Sequence, residues 1–218
     1  MHHTLRYLFF NGIARPLLLI LIGLNVRRRH LLPARGPALL IANHNSHLDT
    51  LMLMLLFSSK TRRRVRPVAA ADYFLKNRVL AWFATRIIGI LPIERSNIGR
   101  TGSDGQRVDP LLVVTEALDR EEIVILFPEG TRGDPEQLGT FQSGVAHIVR
   151  KRPRVPVTPV FIHGLGKALP RGEALLVPFF CDAFVGEPIF WTGDRASFMN
   201  KVHDCITTLA GEANRPTW

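Results

Sequence analysis

Short apolar runs alternate with amphipathic stretches along most of the chain. The apolar runs predict five β-strands, Ala38–Ala42, Pro67–Ala71, Gly89–Ile93, Ile123–Phe127 and Val157–His163. Stretches with helical spacing lie among them, Ser46–Phe57, Asn77–Ile87, Pro110–Arg120 and Thr140–Lys151. Strands that are apolar along their whole length are typical of sheets with helices on both faces. The fold class is therefore predicted as α/β, with a mostly parallel mixed sheet flanked by helices.

The first apolar run, Leu5–Val26, is long enough to cross a bilayer, which takes about 20 residues. Arg6, Asn11 and Arg15 interrupt it, and a central arginine costs about 3 kcal/mol on insertion scales. Pro16 has no N–H to donate and is predicted to break the helix. The run therefore favours two short helices lying in the membrane interface. A true membrane span and an ordinary core helix are the open alternatives.

The turn-like segment Pro33–Pro37 follows this run and precedes the first predicted strand. It predicts a boundary between an N-terminal membrane-associating helical segment, residues 1–32, and an α/β domain, residues 33–218. Toward the carboxyl end, the pattern predicts two further strand segments and a closing helix, Leu175–Phe180, Ala183–Glu187 and Arg195–Ala213.

The charge of the chain is strongly unbalanced. There are 28 Lys+Arg residues against 18 Asp+Glu residues, a formal net charge of +10. Such a surface suits nucleic acid or an anionic membrane face. The basic run Arg27–Arg29 directly follows the apolar run, as a juxtamembrane anchor would. Zinc-finger spacing and aromatic RNA-binding segments are missing from the sequence, so the predicted partner is an anionic membrane surface and not nucleic acid.

The first candidate for chemistry is the segment that follows Ala38–Ala42. His44 would lie at the carboxyl end of a strand, the usual place for active-site groups in open α/β sheets. If a helix begins just after it, the first turn can bring Asp49 back to the imidazole. A carboxylate that binds one ring nitrogen fixes the tautomer, so the other nitrogen can remove a proton from an alcohol.

Other interpretations of the same segment stay open. The spacing from Ser46 to Asp49 is also that of a capping box, in which Asp49 only binds helix N–H groups. His47 could be the base in place of His44. A metal site made of His44, His47 and Asp49 can be drawn, but the sequence favours no metal.

Two more segments place charged residues after apolar strands. Phe127–Arg132 turns at a proline and a glycine and presents Glu129, Thr131 and Arg132 at the same predicted edge. Arginine binds phosphate or carboxylate through two parallel hydrogen bonds, and such turns direct backbone N–H groups outward. Arg95 follows the strand Gly89–Ile93 and could likewise bind an anion. When either segment is considered alone, its charged residues could also be solvated side chains on the surface.

Taken together, four blocks in this order resemble the glycerolipid acyltransferase family, which includes bacterial 1-acyl-glycerol-3-phosphate acyltransferases. The blocks are His44 to Asp49, the strand that ends in Arg95, Phe127–Arg132 and Val155–Val160. Each block alone is modestly specific, whereas the ordered set, which covers residues 31–165, is highly specific. The resemblance implies a glycerol-3-phosphate acyltransferase-like fold and O-acyltransferase activity.

The resemblance also implies roles for individual residues. His44 matches the base that deprotonates the acceptor hydroxyl, and Asp49 matches its orienting partner. The acceptor and its phosphate would be bound by Arg95, Glu129, Gly130, Thr131 and Arg132. The acyl-donor side would include Val155, Pro156 and Pro159. No cofactor and no metal is implied, since acyl-CoA or acyl carrier protein is the acyl-donor substrate.

One position departs from the family pattern. The family often has Phe-Lys-x-Gly after the third block, and this chain has Phe141-Gln142-Ser143-Gly144. The acceptor is therefore expected to be lysophosphatidate or a related lysophospholipid, with an ornithine-type lysolipid as an alternative. A non-catalytic lipid-binding homologue is the alternative to an enzyme. The expected location is the cytoplasmic face of the inner (plasma) membrane.

Overall fold

The computed structural model describes residues 2–46, 48–74, 77–94, 109–131, 133, 138–168 and 179–213. Within them one sheet contains the seven strands β1 (Ile22–Arg27), β2 (Ala38–Ala42), β3 (Val65–Ala70), β4 (Leu91–Ile93), β5 (Ile123–Leu126), β6 (Val157–His163) and β7 (Phe179–Val185). Their order across the sheet is β1-β7-β6-β2-β5-β3-β4. All neighbours are parallel except β6 and β7. The prediction of a mostly parallel mixed sheet is confirmed.

Helices cover both faces of the sheet. The α-helices are α1 (His2–Leu8), α2 (Arg15–Leu21), α3 (Asp49–Leu55), α4 (Ser59–Arg62), α5 (Ala71–Phe74), α6 (Arg78–Trp82), α7 (Leu112–Asp119), α8 (Gly144–Lys151), α9 (Leu165–Ala168) and α10 (Arg195–Glu212). Two π-helical turns, Phe9–Ala14 and Phe83–Ile88, and a 3₁₀ turn, Arg29–Leu31, complete the regular structure of the described residues.

Strand β2 lies at the centre of the sheet and is buried along its whole length. Its alternate side chains enter two separate cores. Leu40 belongs to a core with α3 and the N-terminal helix, and Leu39 belongs to a core with α7, α8 and α10. Burial on both faces is why this strand reads as a continuous apolar run in the sequence.

The N-terminal run is helical up to Leu21, and Pro16 does not break it. Helical dihedral angles continue from α1 through the π-helical turn Phe9–Ala14 into α2. Pro16 stands in the first turn of α2, where a missing N–H is tolerated, and the expected break is wrong. The end of the run is not helical, because Ile22–Arg27 forms edge strand β1 and pairs with β7. Among the described residues, no helix is long and apolar enough to cross a bilayer.

One stripe of this helix packs into the domain core. Phe10, Ala14 and Leu18, each four residues apart, are buried in the same core as β2. Arg6, which interrupts the apolar run in the sequence, is buried as well. Its Nη2 donates to the carbonyls of Arg62 at 2.9 Å and Val65 at 3.0 Å. Burial lowers the pKa of Arg6 to about 10. The arginine therefore attaches the helix to the domain.

Several predicted boundaries shift. Helix α3 begins at Asp49 and not at Ser46, because residues 44–46 form a turn that hydrogen-bonds with Asp49, the first residue of the helix. The strand predicted from Gly89 begins at Leu91, since Gly89 has φ +82 and ends the π-helical turn. Helix α8 begins at Gly144 and not at Thr140. Toward the carboxyl end, β7 is continuous where two strand segments were predicted, and residues 175–178 lie outside the described part of the chain.

Candidate active site

His44 and Asp49 form a hydrogen-bonded pair at the carboxyl end of β2. The chain leaves β2 at Ala42, and Asp49 is the first residue of α3. The tight turn between them brings His44 Nδ1 to 2.9 Å from Asp49 Oδ2. Because the carboxylate occupies Nδ1, Nε2 is the nitrogen that can accept a proton from a substrate hydroxyl.

Asp49 also caps the turn before α3. Its Oδ2 accepts the backbone N–H groups of Asn45 and Ser46, each at 2.8 Å. The residue is 1% exposed, so the carboxylate is held away from water by its three donors. One oxygen atom of Asp49 thus makes both kinds of contact that the sequence allows, to the N–H groups of the turn and to the imidazole of His44.

The imidazole of His44 lies against the ring of Phe127. The ring centroids are 4.0 Å apart and the rings are nearly parallel, at 18°. Phe127 directly follows β5, the strand that pairs with β2. The His44 side chain is 19% exposed, so it remains within reach of a substrate.

The loop after β5 also binds the backbone of His44. The His44 N–H donates to Glu129 Oε1 at 3.1 Å, and the His44 carbonyl accepts from the Gly133 N–H at 2.9 Å. Glu129 is 7% exposed, and burial raises the pKa of its carboxyl group. The imidazole and the backbone of the candidate base are therefore fixed by the same loop.

Asn43 is a structural residue of the site that the sequence did not single out. Its Nδ2 donates to the Ile162 carbonyl at 2.9 Å, and its Oδ1 accepts the Ile162 N–H at 2.7 Å. These bonds extend the β2–β6 pairing by one position beyond the strand and fix the start of the His44 turn. The signal in the sequence was a polar residue placed directly between an apolar strand and a histidine.

A pair of this kind at the edge of an α/β sheet is compatible with several chemistries, and comparison with known proteins narrows them. The family described as Acyltransferase matches residues 23–163. The chain belongs to this acyltransferase family. The matched range contains His44, Asp49 and the whole loop after β5.

Named relatives agree with this assignment. A chloroplastic 1-acyl-sn-glycerol-3-phosphate acyltransferase of Brassica napus is 30% identical over 185 residues, which cover 80% of this chain and 48% of the relative. Another from Arabidopsis thaliana is 32% identical, over 63% of this chain and 35% of the relative. The chain thus spans less than half the length of these two relatives.

A solved structure has the same fold. The crystal structure of the 1-acyl-sn-glycerophosphate (LPA) acyltransferase from Thermotoga maritima aligns with a TM-score of 0.73. The alignment covers 95% of this chain and 79% of the other, at 18% sequence identity. At this identity the likeness establishes the fold alone.

The remaining residues predicted for the acceptor side divide into two groups. Gly130, with φ +71, and Thr131 lie exposed in the turn next to Glu129. The Gly130 N–H donates to the Phe127 carbonyl at 3.0 Å, so it closes this turn. Arg95, Arg132 and His47 lie outside the described residues.

The three residues predicted for the acyl-donor side do not gather at the His44 site. Val155 and Pro156 precede β6, and β6 runs parallel to β2. They therefore lie at the amino end of the sheet, opposite the edge that carries His44. Pro159 is buried within β6, and its carbonyl accepts the Gly186 N–H at 2.8 Å. These positions contribute to the core and to the sheet, and the structure does not bring them to the site.

Gln142, the position that departs from the family pattern, does lie at the site. Its N–H donates to the Pro128 carbonyl at 2.7 Å. Its Cγ is 3.7 Å from where a Cβ on Gly130 would lie. The side chain at position 142 is therefore packed beside the turn that the sequence predicts to bind the acceptor.

Proposed function

We propose that this chain transfers a fatty acyl group from acyl-CoA or acyl carrier protein to a hydroxyl of lysophosphatidate or a related lysophospholipid, in phospholipid biosynthesis or remodelling. The observation that carries the proposal is the His44–Asp49 pair, with its imidazole exposed at the carboxyl edge of the sheet. The names of the relatives support the choice of substrate class.

The reaction follows from the geometry of the pair. His44 Nε2 takes the proton of the acceptor hydroxyl while Asp49 stabilises the imidazolium. The acceptor oxygen attacks the thioester carbonyl carbon, and a C–O bond forms. When the intermediate collapses, the C–S bond breaks and the imidazolium returns the proton to the thiolate. The proposed chemistry needs no cofactor, metal or covalent enzyme intermediate.

A cavity with an apolar floor and a basic rim offers a place for the acyl chain. It has a volume of about 230 Å³ and lies between α2, β1 and α3, and it is lined by Met52, one turn of α3 after Asp49. Its apolar lining includes Leu18, Ile22, Leu24, Val26, Met52 and Leu55, and Arg15, Arg29 and Arg62 line it as well. We propose that it receives hydrocarbon, because apolar surfaces of this kind bind chains by excluding water.

The test of the proposal is acceptor-dependent thiol release. The protein is incubated with acyl-CoA or acyl carrier protein of several chain lengths and with a panel of lysolipids that includes lysophosphatidate and an ornithine-type lysolipid. Products are identified by lipid mass spectrometry. Thiol release that an acceptor strongly accelerates, with the matching diacyl product, is expected. Thiol release at the same rate with and without an acceptor would indicate a hydrolase, and binding without turnover would indicate a lipid-binding homologue.

The residue at position 142 is expected to change the KM for a phosphate-bearing acceptor. Gln142→Lys places a cation beside the Gly130 turn, where the family pattern has lysine. We expect the KM for lysophosphatidate to fall by roughly three- to tenfold, the effect of one added partly exposed phosphate contact of about 1 kcal/mol. The KM for an uncharged lysolipid should not change. An equal fall in the KM for both acceptors would contradict a phosphate contact.

We also propose that the chain acts on an anionic membrane surface, at the cytoplasmic face of the plasma membrane. The N-terminal helix is apolar on its outer side as well as on its buried stripe. Its exposed apolar side chains are Leu5, Tyr7, Leu8, Ile13, Leu17, Leu19 and Ile20, the last 80% exposed. An exposed patch of several neighbouring apolar side chains is typical of surfaces that bind membranes or proteins. The net charge of +10 favours a membrane with anionic lipid.

Vesicle binding tests the membrane proposal. The double variant Leu17→Ser and Ile20→Ser should weaken binding to anionic vesicles by about tenfold or more, because two side chains lose burial in lipid. Leu112→Ser is the matched control, since Leu112 is similarly exposed but lies on α7 in the opposite helix layer. Equal losses in both variants, or binding that high salt alone abolishes, would contradict insertion of this helix.

A further inference from the structure

We propose that Glu129 is a positioning residue, which holds His44 in place and does not bind the acceptor. The inference rests on the proposed acyl transfer and differs from the role that the family resemblance implies for this position. Its basis is the direction of the carboxylate. Oε1 accepts the backbone N–H of His44 at 3.1 Å, and the side chain lies beneath the loop and away from the exposed turn at Gly130 and Thr131.

The carboxylate is enclosed by backbone on its other side. Gly139 lies directly against this carboxylate. A Cβ on Gly139 would lie 2.8 Å from Oε2 and 3.3 Å from Cδ, so any residue other than glycine would collide with the carboxylate. Glu129 therefore lies between His44 and Gly139, and 7% of its surface is exposed. Glu129 Oε2 is buried without a hydrogen-bond partner among the described residues, and an acceptor phosphate would be repelled by a carboxylate.

The described residues of the loop after β5 make three contacts with the base. Glu129 binds the His44 N–H, Gly133 binds the His44 carbonyl, and Phe127 stacks on the imidazole. Asp49 fixes only the Nδ1 side of the ring, so the position of the ring relative to the sheet depends on these loop contacts. Misplacing a reacting group by 1 Å can cost about 10²-fold in rate. Glu129 therefore contributes to catalysis through the location of Nε2.

Four variants test this role. Glu129→Ala removes the acceptor of the His44 N–H, whereas Glu129→Gln keeps a carbonyl oxygen that can accept it. Gly139→Ala leaves Glu129 in the sequence but displaces its carboxylate. Glu122→Ala is the control, because Glu122 is an equally buried carboxylate that pairs with Arg66. Glu122 directly precedes β5 and so lies at the edge of the sheet opposite His44. Each folded variant is assayed for kcat, for the KM of the acceptor and for thioester hydrolysis without acceptor.

For Glu129→Ala and Gly139→Ala we expect kcat to fall by about 100-fold, with the acceptor KM within roughly twofold of wild type. Hydrolysis without acceptor should fall by the same factor, because water is activated by the same base. Glu129→Gln should recover most of the rate, and Glu122→Ala should retain it. If Glu129→Ala fails to fold, the Gln and Gly139→Ala variants carry the test.

Two results would overturn the positioning role. One is a raised acceptor KM with unchanged hydrolysis, which identifies Glu129 as an acceptor ligand. The other is an equal rate loss in Glu122→Ala, which reduces the effect to stability. An inactive wild-type protein would instead contradict the proposed acyl transfer itself, so the two failures are distinct.

Discussion

Replacing His44 by alanine is expected to lower kcat by about 10³-fold, the contribution of a well-placed general base. The imidazole is the group that takes the acceptor proton, and its Nδ1 side is already occupied by Asp49 at 2.9 Å. The acceptor KM should change little, because the base touches only the reacting hydroxyl. Thiol release with lysophosphatidate measures both constants.

His147→Ala is the matched control for this experiment. His147 lies on α8, where its Nε2 is 3.5 Å from Asp109 Oδ2, and its side chain is 44% exposed. It thus resembles the His44–Asp49 pair in composition but lies on α8 and not in the turn after β2. We expect wild-type kcat for His147→Ala. Near-normal turnover in His44→Ala would show that another group is the base.

The fold was largely predictable because its central strands are buried on both faces. Strands β2 and β6 begin and end at the predicted residues, since each is a continuous apolar run bounded by turn or polar residues. Strand β1 was missed for a physical reason. It follows α2 directly, Gly23 alone does not predict a strand, and its strand conformation depends on pairing with β7, which is about 157 residues away.

The site was predictable only in part. The spacing from His44 to Asp49 allows the pair, but a cap and a dyad look the same in the sequence because one carboxylate oxygen serves both. The stacking of Phe127 on His44 depends on β5 lying next to β2, which a single sequence does not reveal. Val155 and Pro156 come just before β6. Because β6 runs parallel to β2, they lie at the edge of the sheet opposite His44.

Asp49 gives the second large effect, because it combines the two roles that the sequence could not separate. In Asp49→Asn, the amide oxygen can still accept the N–H groups of Asn45 and Ser46, but it carries no charge to stabilise the imidazolium. We expect kcat to fall by about 10³- to 10⁴-fold, the loss seen when a carboxylate that orients a catalytic histidine becomes an amide. The melting temperature should fall only slightly.

In Asp49→Ala both roles are lost. The buried N–H groups of Asn45 and Ser46 lose their acceptor, and each unsatisfied group costs about 1–3 kcal/mol. Thermal unfolding of the two variants therefore separates the cap from the dyad. Alanine should lower the melting temperature clearly more than asparagine does, while both lower kcat.

The control for the capping term is Asp194, which caps α10 by accepting the Ser197 N–H at 2.7 Å and lies far from His44 in the sheet. Asp194→Ala should cost about 1 kcal/mol of stability without lowering kcat. If Asp49→Asn kept the wild-type rate, Asp49 would be a cap alone, and the orientation of His44 would rest entirely on Phe127, Glu129 and Gly133. The comparison of these variants therefore shows how much α3 and how much the loop after β5 contribute to the orientation of His44.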